Sequence, residues 1–163
     1  MSQLRNALLC LTVIVGFVAP VAAWAGATEV PEVVPYSEEG LVPGNVVAEC
    51  TRLGTQLGTF IKQFADANGT DVVLSSNIDY ASAPSALRIE IVNVVSAGNA
   101  FTGHSKAMSV KVELLKAGEV TAKTTLSRNS MGGVFGGYKG SCAVLGRVTK
   151  ALGKDVAAWL RDQ

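Results

Sequence analysis

The densest chemical candidate in the chain is Gly132-Gly133-Val134-Phe135-Gly136-Gly137-Tyr138-Lys139-Gly140-Ser141-Cys142, which leads into an amphipathic run. Glycines ahead of a helix expose bare N–H groups that can cradle phosphate. A phosphate-binding loop, however, needs Gly-x-x-x-x-Gly-Lys-Ser/Thr after a buried parallel strand. Here Tyr138 intervenes before Lys139, Gly140 precedes Ser141, and the strand ahead reads as antiparallel. The Gly-x-Gly frame of a dinucleotide site is absent too, so no nucleotide or other cofactor is expected. Two readings remain. The segment is a hinge that lets the following helix dock. Otherwise it is a recognition loop in which Gly133 and Gly136 free the backbone to present Phe135, Tyr138 and Lys139 to a partner.

His104 is the single histidine. As a general base for a small hydrolase or transferase it would need a nearby Ser or Asp, and a lone loop histidine is usually only solvated. Multi-histidine metal sites are excluded. Asp66, Asp71 and Asp79 lack the dense ladder and closing Glu of a calcium loop, so no metal is expected. Asn68-Gly69-Thr70 matches a glycosylation pattern of high chance frequency.

The first 25 residues read as an export signal. Arg5 precedes an apolar run over Ala7–Val18, followed by Pro20 and the small-x-small pair Ala23 and Ala25, which predicts cleavage near Ala25. Cys10 has no small residue before it, so it is a poor lipid-attachment site. The mature chain is then expected to be periplasmic or secreted, with no transmembrane segment. It keeps Cys50 and Cys142, and an even pair in an exported chain predicts a disulfide. A catalytic thiol working with His104 is the alternative.

Hydrophobic residues make up 48% of the 163 residues and charged residues 17%, which excludes a disordered chain. With Arg5 removed, 13 cations face 13 anions, so a strongly basic nucleic-acid binder is not expected. The charges are unevenly spread. Residues 26–90 hold nine acids and three bases, and residues 91–163 hold four acids and ten bases. Either the halves attract each other within one fold, or the basic half faces an anionic envelope partner such as cell-wall polymer or lipid headgroups.

The elements that must position these residues follow from periodicity. Residues 26–44 carry Glu29, Pro31, Glu32, Pro35, Glu38, Glu39 and Pro43 and read as a flexible acidic arm. A single α+β domain is expected over 45–163. Asn45 is expected to cap one long helix, with Val46, Cys50, Leu53, Leu57, Phe60, Ile61 and Phe64 on its buried stripe. Gly54 and Gly58 lie beside that stripe and permit close approach of another element. Val72–Leu74 is a short strand candidate. Leu87, Ile89 and Ile91 alternate as in a half-buried strand, and Asn93 breaks the alternation, which predicts a bulge. Residues 97–103 read as a loop. The runs 108–114 and 120–126 alternate around Ala117-Gly118, a hairpin. Leu145, Val148, Leu152, Val156 and Trp159 mark a last helix, with Arg147, Lys150, Lys154 and Arg161 away from its apolar face.

The expected fold is α+β, an antiparallel three- to four-stranded sheet with two helices packed on one face. A three-stranded meander makes the two helices parallel and brings Cys50 and Cys142 to the same end. The segments Ser96–His104, Met131–Gly137, Ala143–Leu145 and Lys154–Leu160 give residues 45–160 a resemblance to a group of small bacterial exported proteins of unknown function. That resemblance implies an α–β–β–β–α domain with a glycine-rich loop before the last helix, often in envelope lipoproteins. It brings no activity and no site residues. The function expected is that of a non-enzymatic envelope binding or accessory protein.

Overall fold

The computed structural model describes residues 26–99, 103–131 and 140–163. Among them, six strands and three helices form an α+β fold with a mixed sheet. The order is β1 (Thr28–Pro31), β2 (Tyr36–Leu41), α1 (Gly44–Glu49), α2 (Leu53–Ala67), β3 (Val72–Ser75), β4 (Ser85–Asn99), β5 (Gly103–Lys116), β6 (Glu119–Ser130) and α3 (Ser141–Arg161). The sheet runs β3-β1-β4-β5-β6, and β2 pairs with β4 further along.

The antiparallel part follows the alternation of the sequence. Ile89 pairs with Val112 and Val110 with Leu126, so one face of β4, β5 and β6 is apolar. The register shifts between Ile91 and Asn93, where Asn93 breaks the pattern. Ala117 and Gly118 both take positive φ, 49° and 82°, which closes a tight hairpin whose twist matches the strands. The expected loop at 97–103 is narrower than the sequence suggests, because β4 continues to Asn99 and β5 starts at Gly103.

The sheet is larger than expected and is not purely antiparallel. Thr28–Pro31 pairs in parallel with Val72–Ser75, and Glu29 also pairs with Ala86. Residues 26–44 are therefore not a free arm. Their prolines bound the strands instead of forbidding them. Pro31 is the last residue of β1, and the next N–H, from Glu32, donates to the Ser75 carbonyl at 3.0 Å. Pro35 precedes β2 and its carbonyl accepts from the Ile91 N–H at 2.9 Å. Parallel neighbours need a long crossover, and here α1 and α2 provide it between β1 and β3.

The single helix expected from Asn45 is two helices. The first is capped at Pro43, whose carbonyl accepts from the Val46 N–H at 2.9 Å. Cys50 leaves helical geometry at φ −103°, ψ 50°, and α2 restarts at Leu53. The buried stripe Val46, Cys50, Leu53, Leu57, Ile61 runs unbroken across the junction, so its periodicity does not register the break.

The core lies between one sheet face and α2 and α3. It joins Leu87, Ile89, Ile91, Val110 and Val112 to Leu57, Ile61, Leu145, Leu152 and Val156. The two long helices run parallel. Cys50 meets Cys142, Phe60 meets Gly153, and the Asn68 amide donates to the Ala157 carbonyl at 3.1 Å. β3 adds no reversal because it is parallel to β1 and β4, so the meander's parity decides the helix direction. Gly58 opens α2 to the chain leaving β1: a Cβ there would stand 2.6 Å from the Pro31 carbonyl oxygen.

Candidate functional site

The α1–α2 junction and the first turn of α3 are joined by a disulfide between Cys50 and Cys142, whose Cα atoms are 5.3 Å apart. Above it lies an open groove of about 540 Å³, with Arg52 and Gln56 on the α2 side, Arg147 and Lys150 on the α3 side, and Glu49 and the cystine at its head. Gly146 also lines it, facing Gln56 across the groove: a Cβ there would be in ordinary contact, 3.5 Å from the Gln56 side-chain oxygen.

Positive charge predominates at this end. Because α2 and α3 are parallel, both present their N-termini to it, where the helix dipole is positive. Neither first turn carries an acid and neither N-cap makes a side-chain bond, so nothing in the chain's own helix starts offsets those dipoles. Arg52, Arg147 and Lys150 add full charges, against Glu49. Lys150 is steered by the Phe60 ring, with its Nζ 5.9 Å from the centroid. The arrangement can hold an anionic group by charge and by hydrogen bonds from guanidinium and amide donors.

The residues singled out in the sequence fall as follows. Gly133, Gly136, Phe135, Tyr138 and Lys139 lie outside the described residues. The described ends of that segment are Met131, after β6, and Gly140, the N-cap of α3 beside the groove. His104 sits in β5 opposite Gly98. Two residues on, the buried Lys106 stands between Ser96 and Ser130, so His104 and Ser130, the last residue of β6, share one end of the sheet. Asp79 accepts hydrogen bonds from the Ala81 N–H and the Ser82 hydroxyl, and these bonds, that from Ser82 first, hold its carboxyl below the usual range. It orders the loop before β4. Among the described residues no group of three or more His, Cys, Asp or Glu could hold a metal ion, and no helix is long and apolar enough to cross a membrane.

Arg52 and Phe60 were not singled out as site residues by the sequence. Their spacing is that of any helix flank, and their role depends on which face of α3 lies beside them. The cations of α3 were visible, because they recur at helical spacing away from the apolar stripe.

No family model and no curated protein matches the chain. Among solved structures it is similar to the PelC dodecamer from Paraburkholderia phytofirmans, at 15% identity over 78% of this chain and 86% of that one, with a TM-score of 0.49. It is similar to a Xanthomonas campestris protein of family DUF330, at 13% identity over 86% and 88%, TM-score 0.49. A minor lipoprotein from Acinetobacter baumannii stands at 16% identity over 80% and 88%, TM-score 0.46. At these values function rests on this chain's own residues.

Proposed function

We propose that this chain is an exported, non-enzymatic accessory protein of the bacterial envelope that binds an anionic partner. The binding surface is the groove at the head of α2 and α3, together with the glycine-rich segment that feeds α3. The observation that carries the reading is the convergence of Arg52, Arg147 and Lys150 on one groove at the positive ends of two parallel helices. The cystine at its head fits an oxidising compartment, and the apolar run over residues 7–18 with Ala23 and Ala25 supports export by a cleaved signal.

The test is co-sedimentation with isolated envelope. The wild-type chain pellets with envelope at low salt and is released as salt rises. An Arg52→Glu/Lys150→Glu variant with an unchanged circular dichroism spectrum stays in the supernatant. Equal pelleting of both proteins would overturn the reading. The export half is tested by N-terminal sequencing of the protein from its native compartment, where Gly26 is expected and Met1 would contradict it.

A further inference from the structure

We infer that the ligand of this groove is a linear polyanion, an acidic polysaccharide laid lengthwise along α3, and not an isolated anionic group. This rests on the anion-binding reading above.

The cations of α3 do not stop at the groove. Arg147, Lys150, Lys154 and Arg161 are separated by three, four and seven residues, which places them on one strip of the helix, and all four are exposed. At 1.5 Å per residue the strip is about 21 Å long. A single headgroup uses one end of such a strip, and a chain uses its length. Two of the four acids of the basic half pair with cations away from it. Glu113 pairs with Arg88 and Lys111 on the far face of the sheet, and Asp155 pairs with Arg128. At the tail, Asp162 pairs with Arg161 and weakens that last charge.

The concavity is also longer than the first groove. A second hollow of about 300 Å³, lined by Arg52, Thr55, Gln56, Thr59 and Phe60, shares Arg52 and Gln56 with it. All of the hollow's lining residues belong to α2 or its N-cap, so the concavity extends from the groove along the α2 flank. This flank offers the Thr55 and Thr59 hydroxyls, the Gln56 amide and the Phe60 ring beside Arg52 and Lys150, the groups that suit a polymer bearing hydroxyls between its charges. A bilayer fits it poorly. The surface is concave, and none of the exposed large apolar residues among those described lies on α2 or α3, so the described faces of these helices offer no large apolar side chain to lipid tails.

The test uses the disulfide-bonded mature chain and four probes: long-chain polygalacturonate, galacturonate dimer, inorganic phosphate, and vesicles of phosphatidylglycerol and phosphatidylcholine. Long polygalacturonate binds at least about tenfold tighter than the dimer, since several weak contacts act in one chain. Lys154→Gln, beyond the first groove, weakens polymer binding about fivefold and leaves dimer binding unchanged. Lys123→Gln, on the exposed edge strand β6, leaves both unchanged. Dimer or phosphate binding as tight as the polymer's, with no effect of Lys154→Gln, overturns the lengthwise chain while leaving an anion site in the groove. Equal losses from Lys123→Gln and Lys154→Gln overturn it as diffuse charge attraction. Vesicle binding tighter than polymer binding overturns it in favour of a membrane surface. Failure to bind any of the four overturns both this inference and the reading beneath it.

Discussion

Tyr36, in β2, keeps its hydroxyl buried without a hydrogen-bond partner, and burial raises its pKa above the ordinary tyrosine value. A buried donor left unmade costs free energy that its removal returns. Tyr36→Phe is therefore expected to stabilise the fold by about 1 kcal/mol, seen as a higher urea midpoint at unchanged slope. A lower midpoint would mean the hydroxyl is satisfied. Glu113 is the opposite case. The Lys111 ammonium 3.0 Å away, and Arg88 at 3.2 Å, hold its carboxyl below the ordinary glutamate value. Its folded pKa is lower than its unfolded one, so its contribution to stability is present above the unfolded pKa. That contribution is lost as pH falls through the folded pKa. Lys111→Met should move the Glu113 carboxyl titration upward by carbon-detected NMR with little change in stability at neutral pH, since Lys111 is exposed. An unmoved titration would remove the ion pair from the account. At this scale the sequence shows which residues are chemically able, such as the cysteine pair and the α3 cations. It does not show Arg52 or Phe60 as partners of those cations, because that depends on how two helices lie side by side.

The three strands and the last helix whose apolar residues alternate or recur are legible because each carries its own periodicity. β4, β5 and α3 each bury one face in the same core, β6 packs the half-buried Ala122 and Leu126 against it, and the pattern is local. β1 and β2 are not legible for a physical reason. Four and six residues long, they depend on partners distant in the chain: β1 lies between Val72–Ser75 and Ala86, and β2 beside Ile91 and Asn93. Their prolines look like breakers until the strands are seen to stop at them. Helix contact depends on small residues that periodicity undervalues. Gly153 lets α3 close on α2, since a Cβ there would stand 2.6 Å from the Phe60 Cβ. Gly153→Ala must push the helices apart or shift Phe60. It is expected to cost about 1–3 kcal/mol despite alanine's better helix propensity, measured as a lower urea midpoint. A gain in stability would contradict this packing. By spreading the seam, the same substitution should also weaken any ligand that lies in it.

For the molecule as a whole, Arg88 and Glu113 form an ion pair between the two halves. Asp155 pairs with Arg128 and Asp162 with Arg161, both within the basic half, and Lys150 and Lys154 of α3 are exposed. What ties the halves covalently is the bond from Cys50 to Cys142, 92 residues apart. Closing a loop of that length restricts the unfolded chain by about 4.6 kcal/mol in the chain-entropy model. The double variant Cys50→Ala/Cys142→Ala should lose a comparable amount in urea unfolding. A loss near zero would show that the helix heads are held by packing alone.

The most direct measurement is an amide NMR map of the disulfide-bonded chain titrated with polygalacturonate. The account predicts that shifts concentrate on the α2–α3 seam and the segment entering α3, with Gln56, Gly146, Lys150 and Lys154 among the largest, and that they vanish at high salt. Shifts spread evenly over exposed lysines, or centred on β6 or the far face of the sheet, would contradict it.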